Sequence, residues 1–261
     1  MYEIVDGHRT YYEQRGAGPH LLFIHGLGGG SAIWFAQVEA LSSRFRATAY
    51  DWPGAGCSAS GTEEQTVESL ARHVSALCRQ LEISRAGIVA HSMGAAVAIT
   101  LAAHEPGLVA AMALLGPVTK LGAAGVDAIT KRAAAVRELG MEAVVDAIPM
   151  GALAPKTRDE NPAVHALFRA SLLANDPESY ARDCEALVRA DADALASSVH
   201  APTLLVGGSS DPTAPPASLQ ALASRLADAE TVELPDAGHA MQLDQPQLVS
   251  ASLERFFETR I

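Results

Sequence analysis

The stretch AGIVAHSMGAAVAITLAAH, residues 86–104, contains the most informative pattern in this chain. It begins with Ala86–Ala90, a short run that is apolar on both faces and is therefore typical of a central strand in a parallel sheet. Met93–His104 follows almost at once and is predicted to be a helix of small apolar residues that ends before Pro106. The pattern therefore predicts a buried strand that turns abruptly into a helix.

Ser92 stands at this turn, within AHSMG, residues 90–94. Strand and helix nearly touch at such a turn, so the residues two before and two after the serine must be small, as Ala90 and Gly94 are. The turn would present the hydroxyl at the carboxyl ends of the strands, where open α/β sheets bind ligands. The N–H groups at the start of the helix would stabilise a negatively charged oxygen there. We predict that Ser92 is a nucleophile; the alternative is an ordinary turn whose serine caps the helix.

Strands and helices alternate on both sides of this stretch. The alternation predicts an α/β fold, with a mostly parallel central sheet and helices on both faces. Asp6-Gly7 suits a tight turn, so the first two strands are expected to form a hairpin. The predicted strands are Tyr2–Val5, Arg9–Gln14, Leu21–Ile24, Arg46–Tyr50, Ala86–Ala90, Val109–Leu115, Thr203–Val206 and Glu230–Leu234. The predicted helices are Ile33–Ser43, Thr66–Leu81, Met93–His104, Ser218–Leu226 and Pro246–Phe257.

Residues 118–199 are rich in Ala, Leu and Arg and are helical in character, with prolines that break them into short pieces. We interpret them as a helical cap (lid) domain, inserted after the fourth parallel strand, with residues 1–117 and 200–261 forming the core. A cap over the serine would exclude water and shape a pocket. The candidate substrate-binding residues are Trp34, Val118, Met141, Ile148, Met150, Phe168 and Met241, together with Leu27. Arg132, Arg137 and Arg158 are candidates to meet a substrate carboxylate.

A serine nucleophile needs a base, and the base needs an acid that orients it. His239 follows the last predicted strand, and Asp211 follows the strand before it. Because the carboxyl ends of parallel strands meet at one edge of a sheet, we expect both side chains to converge on Ser92. Asp236 and Asp244 do not directly follow a strand and are weaker candidates for the acid. The alternatives are that Asp211 only caps the next helix and that His239 is a surface loop residue.

The Gly-rich run HGLGGG, residues 25–30, follows another predicted strand. An oxyanion hole needs two backbone N–H donors that point at one position. We predict that the N–H groups of Leu27 and Met93 supply them. The alternative is a phosphate-binding turn, but the run lacks the spacing of a Walker loop and no lysine follows the glycines.

The composition excludes several classes of function. Lys and Arg number 19 against 30 Asp and Glu, which gives a net charge of −11. An acidic chain repels phosphate backbones and anionic membrane surfaces, so we expect neither nucleic-acid nor membrane binding. Three widely spaced cysteines predict neither a disulfide framework nor a metal site. With no secretory signal and no apolar run that would span a bilayer, we expect a cytoplasmic monomer or homodimer that needs no cofactor.

Taken together, the motifs resemble the α/β-hydrolase superfamily over nearly the full length of the chain. The matching segments are residues 25–28, 51–58, 90–94, 208–212 and 238–239. The resemblance implies that Ser92, His239 and Asp211 form a catalytic triad and that Leu27 and Met93 form the oxyanion hole. More narrowly, the segments 176–180, 190–193 and 202–205, with Cys184, are similar to the 3-oxoadipate enol-lactonase group, which hydrolyses a small lactone.

The sequence therefore predicts a serine hydrolase that cleaves a carboxylic ester or lactone through an acyl-enzyme intermediate, as enol-lactonases and carboxylesterases do. Two other reactions remain open on the same triad. One is the hydrolysis of C–C bonds in the dienoic diketo acids known as meta-cleavage products, and the other is a perhydrolase or haloperoxidase-like activity. A non-catalytic ligand receptor on the same fold is a further alternative, which the intact Ser92, Asp211 and His239 disfavour.

Overall fold

A computed structural model describes residues 1–61 and 63–261. In this part of the chain, eight strands form one sheet in the order β1-β2-β4-β3-β5-β6-β7-β8. The strands are β1 (Tyr2–Val5), β2 (His8–Arg15), β3 (His20–Ile24), β4 (Arg46–Tyr50), β5 (Ala86–His91), β6 (Val109–Leu115), β7 (Thr203–Gly208) and β8 (Ala229–Leu234). β2 is antiparallel to both β1 and β4, and the other neighbouring strands are parallel. The predicted hairpin and the mostly parallel sheet are therefore confirmed.

Helices cover both faces of this sheet. The helices before β7 are α1 (Phe35–Leu41), α2 (Val67–Gln80), α3 (Gly94–His104), α4 (Ala123–Leu139), α5 (Ala147–Ala152), α6 (Pro155–Glu160), α7 (Pro162–Leu173) and α8 (Pro177–Arg189). The helices after β7 are α9 (Pro216–Ala223), α10 (Met241–Asp244) and α11 (Pro246–Phe257). Short 3₁₀ helices span Ser31–Trp34, Met141–Ala143 and Ala192–Ser198. No helix of the described residues has the length and apolar character needed to cross a membrane.

The central strands β5 and β6 are buried along their whole length. Successive side chains of a strand point to opposite faces, so Ile88 and Ala90 join one apolar cluster and Val89 joins another. The first cluster includes α2 and α3, and the second includes α1 and α11. A strand with a core on each side has no solvent face, which explains its unbroken apolar sequence.

Two predicted helices have different bounds in the structure. The segment 33–43 divides into the 3₁₀ helix Ser31–Trp34 and the following helix α1. α9 begins at Pro216 and ends at Ala223, earlier at both ends than the predicted 218–226. Proline is favourable in the first turn of a helix, where no intrahelical partner for its missing N–H is needed. The amphipathic helix predicted at 66–81 is α2, and Thr66 caps it through a reciprocal hydrogen-bond pair with Ser69.

The segment between β6 and β7 consists of α4 to α8 and short 3₁₀ turns, and we call it the insertion. Its prolines begin helices rather than only separating them, since α6, α7 and α8 each have a proline in the first turn. Its apolar side chains, among them Phe168, Leu172 and Tyr180, belong to the same cluster as Phe23 of β3. The insertion is thus packed onto the sheet through a shared core.

The two ends of the insertion meet at its base. The backbone of Lys120 pairs with that of Asp191, and the N–H of Ala192 donates to the carbonyl of Thr119 at 3.0 Å. The Lys120 ammonium also lies 2.6 Å from the Asp191 carboxylate. The chain therefore leaves the core and returns to it at nearly the same place.

Candidate active site

Ser92 occupies the strained turn between β5 and α3. Its φ is +53°, a left-handed conformation that is rare for residues other than glycine. The Ser92 N–H donates to the carbonyl of Leu115 at 2.9 Å, and the Ser92 carbonyl accepts from the N–H of Val118 at 3.1 Å. A side chain at Gly94 would lie 2.5 Å from the His25 carbonyl oxygen, so the helix must begin with a glycine here. The turn is thus fixed by backbone contacts from β3 and from the end of β6.

A continuous chain of hydrogen bonds joins Ser92, His239 and Asp211. The Ser92 Oγ lies 2.9 Å from His239 Nε2, and His239 Nδ1 lies 2.8 Å from Asp211 Oδ2. A carboxylate accepts from Nδ1–H, which leaves Nε2 free to accept the serine proton. All three side chains are buried; Ser92 follows β5, Asp211 follows β7 and His239 follows β8. The three residues singled out from the sequence are therefore neighbours at one sheet edge.

Asp211 is held as an anion by its surroundings. Burial alone raises its pKa, but the hydrogen bond to His239, the charge of that ring and two backbone N–H groups outweigh burial and lower the pKa below its ordinary value. The backbone donors are Thr213 N at 2.7 Å and Ala214 N at 3.0 Å, both to Oδ1. Both carboxylate oxygens thus accept hydrogen bonds, and these bonds fix the orientation of the carboxylate relative to the imidazole.

His239 is held in place by contacts of the loop that carries it. His91 Nε2 lies 2.9 Å from the His239 carbonyl oxygen, to which it donates. Burial lowers the pKa of His91 to about 3, so this ring is neutral. Asp244, a weaker candidate for the triad acid, instead accepts from the N–H groups of Gly238 at 2.8 Å and Ala154 at 3.0 Å. The loop is therefore attached both to the sheet and to the insertion.

Gly116 lies against His239 and Asp211, and our sequence analysis did not identify it. Its φ is +51°. A side chain at this position would lie 3.0 Å from His239 Nδ1 and 3.1 Å from Asp211 Oδ2. The pattern that would have revealed it is a glycine directly after a buried strand, followed by Pro117.

The Gly-rich segment 25–30 lies beside Ser92, and Asp51 holds it there. Asp51 Oδ1 accepts from the N–H of Ser31 at 2.5 Å, and its Oδ2 accepts from the N–H of Cys57 at 2.8 Å. The motif 51–58 is thus a structural loop, as expected. Among the described residues, the N–H groups of Leu27 and Met93 donate to no protein acceptor.

A cavity of about 250 Å³ contains Ser92 and His239. Four residues expected at the pocket do line it, namely Leu27, Val118, Ile148 and Phe168. The insertion contributes much of the wall, and Gly26, Ile33 and Gln242 contribute from the core. Among the described residues, no group of three or more His, Cys, Asp or Glu side chains is arranged to hold a metal ion.

Four other residues expected at the pocket do not line it. Trp34, Met141 and Met241 are buried in the apolar core. Met150 is 52% exposed on the outer side of α5. Ile148 and Met150 are two positions apart on one helix, or about 200° around its axis, so only one of them faces the cavity. The expectation for these four residues is corrected accordingly.

Only one of the three candidate arginines reaches the cavity. Arg132 of α4 lines it, and no carboxylate of the described residues lies within ion-pair distance of Arg132. Arg137 binds Glu178 and Glu185 on the surface, and Arg158 donates to the Met150 carbonyl at 2.5 Å. The cavity wall therefore carries an arginine without a carboxylate partner.

The mostly parallel sheet and the buried serine, histidine and aspartate at its carboxyl edge define the class of α/β hydrolases. The model of the family described as alpha/beta hydrolase fold matches residues 19–246, so this chain belongs to that family. The family and the names of its relatives support hydrolase activity.

Among the relatives, 3-oxoadipate enol-lactonase 2 of Acinetobacter baylyi is 27% identical over 90% of this chain and 87% of its own length. A protein of Azorhizobium caulinodans, provisionally named carbamate hydrolase RutD, is 27% identical over 94% of both chains. The crystal structure of the enol-lactonase from Burkholderia xenovorans LB400 superposes with a TM-score of 0.94. It is 30% identical and covers 99% of this chain and 100% of that one. The resemblance to enol-lactonases is therefore confirmed.

Proposed function

We propose that this protein is a serine hydrolase that cleaves a carboxylic ester or lactone through an acyl-enzyme intermediate. The single observation that carries the proposal is the chain of hydrogen bonds from Ser92 Oγ through His239 to Asp211, at 2.9 and 2.8 Å. A free serine hydroxyl is a poor nucleophile, and this arrangement supplies the base that activates it.

The first half of the proposed reaction forms the acyl-enzyme. Ser92 Oγ attacks the substrate carbonyl carbon while its proton passes to His239 Nε2, and the anion of Asp211 stabilises the resulting imidazolium. The tetrahedral intermediate then breaks its C–O bond, and His239 returns the proton to the departing alkoxide. In a lactone this alkoxide stays attached to the acyl chain as a hydroxyl group. The second half repeats the sequence with water, which releases the acid and restores Ser92.

The negative oxygen of each tetrahedral intermediate needs donors that are already oriented. The N–H groups of Leu27 and Met93 fit this role because they flank Ser92 and have no acceptor within the described protein. Loss of one such donor costs on the order of 10²–10³ in rate in comparable enzymes. In this proposal the hydrogen bonds of Asp51 support the oxyanion hole indirectly, because they hold the segment that carries Leu27.

The substrate class follows from the relatives and from the cavity. The names of the relatives favour a lactone. The cavity of about 250 Å³ suits a small molecule, and Arg132 on its wall suits a substrate with a carboxylate. We further propose that residues 118–199 act as a cap that excludes water from the site. A cytoplasmic location and a monomer or homodimer stay predictions.

Carbamate hydrolysis is the second candidate, because a relative of the same length is named for it. The same triad would attack a carbamate carbonyl, with an amine as the leaving group. The meta-cleavage, perhydrolase and receptor alternatives have no further observation in their favour from the site.

The test is a substrate panel of p-nitrophenyl acetate, small lactones with and without a carboxylate, and an alkyl carbamate. We expect wild-type protein to hydrolyse esters or lactones, and Ser92→Ala to lose on the order of 10⁴-fold or more in kcat. Ser210→Ala, an exposed serine in the Asp211 loop, is the matched control and should keep wild-type rates. A fluorophosphonate should add its mass to wild type and to Ser210→Ala but not to Ser92→Ala. Full esterase activity in Ser92→Ala would refute the proposal.

A further inference from the structure

A surface cleft adjoins the cavity that contains Ser92. Its volume is about 460 Å³, against about 250 Å³ for the cavity. It lies between the first part of the insertion and the segment after Asp211. The residues that line both spaces are Val118, Leu121, Ile129, Pro212 and Thr213. The two spaces are therefore separated by one shared wall of side chains, and a bound molecule that passes this wall would occupy both.

The wall of the cleft is mainly apolar, with three hydroxyl side chains, and its charged side chains are paired. Small or aliphatic side chains line it, including Ala128, Ala221 and Leu222. At the rim, Arg225 lies 2.9 Å from Asp193, and Lys120 has its own partner in the insertion. Neither cation is left without a carboxylate, so the cleft offers no site for a charged group. Its chemistry suits an uncharged aliphatic chain.

The position of the cleft relative to His239 determines which half of an ester would enter it. His239 Nε2 must give its proton to the leaving oxygen, so the alcohol part departs on the histidine side of the carbonyl. The cleft borders Pro212 and Thr213, which directly follow the aspartate bound to that histidine. The oxyanion side of the cavity, with Leu27 and the glycines, does not border the cleft. The alcohol part thus points toward the cleft, and the acyl part stays in the inner cavity.

We propose that this cleft is the binding site for the alcohol part of the substrate, and that it takes an uncharged aliphatic chain of several carbons. The proposal rests on the proposed ester hydrolase activity and adds a subsite to it. Ala128 and Ala221 line the cleft but not the inner cavity, so they determine which alcohol chains fit without touching the reacting atoms.

The experiment fills the cleft and compares three uncharged esters. Ala128→Trp places a large ring on an exposed position of α4 that faces the cleft. We expect it to lower kcat/KM for hexyl acetate about tenfold or more, since single methylenes are worth that much in a fitted pocket. Ethyl acetate and ethyl hexanoate should stay within about twofold of wild type, because their alcohol part is short. Ala123→Trp, exposed on the same helix but outside the cleft, is the matched control and should leave all three rates unchanged.

Each other outcome has a definite meaning. If ethyl hexanoate is lost instead of hexyl acetate, the cleft holds the acyl part and the proposal is wrong. If all three rates fall together, or none falls, the cleft does not bind the alcohol chain and the proposal is equally wrong. A wild-type protein that hydrolyses none of the esters or lactones tested would overturn the proposed function itself. Ala221→Trp, from the opposite wall, should reproduce the Ala128→Trp result.

Discussion

The sheet edge around Ser92 and the insertion above it are held together in different ways. At the sheet edge, backbone groups fix the residues that we propose to be catalytic: Ser92 bonds to Leu115 and Val118, and Asp211 accepts from two N–H groups. The insertion is held mainly by apolar packing and by exposed ion pairs such as that of Arg137 with Glu178. Exposed ion pairs contribute little, about 0–1 kcal/mol each. A single added carbon should therefore be harmful at the sheet edge and tolerated in the insertion.

Gly116→Ala tests the sheet edge with the largest expected effect. The new Cβ would lie 3.0 Å from His239 Nδ1, and the residue would keep φ at +51°. A displaced imidazole should lower kcat about 10²-fold. The left-handed conformation should also cost about 1–2 kcal/mol of stability. Steady-state kinetics on p-nitrophenyl acetate and a thermal melt measure the two effects.

The control is Gly122→Ala at the start of the insertion. There φ is −76°, and an added Cβ has no neighbour within 4 Å. Gly122 also lines the cleft, so activity is measured with ethyl acetate, whose alcohol part is short. We expect wild-type activity on this ester and an unchanged melting temperature. Equal losses in both variants would show that the two regions do not differ as described.

Arg132→Leu tests the cation of α4 that lines the cavity. If Arg132 binds a substrate carboxylate, the variant should raise KM about 10–100-fold for a lactone that carries a carboxylate, since a charge-assisted hydrogen bond is worth about 1.5–3 kcal/mol. Neutral lactones of the same size should be affected about twofold at most. Arg137→Leu, which removes a surface ion pair of the same helix, should not change this preference. Equal losses on charged and neutral lactones would contradict a role in charge recognition.

Asp183→Asn has the smallest expected effect and tests a contact between the two regions. Asp183 of α8 is buried and accepts from Trp52 Nε1 at 2.9 Å. Burial raises its pKa well above the ordinary value. A carboxyl group that holds its proton more tightly when folded stabilises the protein below its unfolded pKa of about 3.9, and this stability is lost as pH rises toward the folded pKa.

Wild type should therefore lose stability as the pH rises from about 4 toward the folded pKa of Asp183, and Asp183→Asn should lose less because its amide does not ionise. Thermal melts across this range measure the difference. Asp159→Asn, an exposed residue of the insertion, is the control and should follow wild type. A variant whose melting temperature falls with pH as steeply as that of wild type would contradict the assignment.

The sheet edge was predictable because its determinants are local. Buried parallel strands have unbroken apolar sequences, and the residues that follow them meet at one edge, so Ser92, Asp211 and His239 could be identified without the structure. Gly116 was not identified, because its need for a glycine arises from side chains more than ninety positions away in the chain.

The insertion was less predictable because two of its helices, α5 and α6, have only six residues each. α5 has six residues and contains a proline, so it is too short to have a repeating pattern of apolar residues. Its sequence therefore does not show that Ile148 faces the cavity and Met150 faces solvent. Which arginine of α4 lines the cavity likewise depends on how α4 packs against α8, because two glutamates of α8 bind Arg137 at the surface. Such choices are made by tertiary contacts and are not encoded in a window of a few residues.

The Asp244 contacts limit how this protein can diversify. Asp244 binds the N–H of Ala154, and the Ala240 N–H donates to the Ala152 carbonyl at 2.9 Å, so the insertion backbone at 152–154 belongs to the support of the imidazole. Elsewhere in the insertion, an exchange of sequence between relatives would alter the choice of substrate without moving His239. At these three positions, an altered backbone would move the His239 imidazole itself.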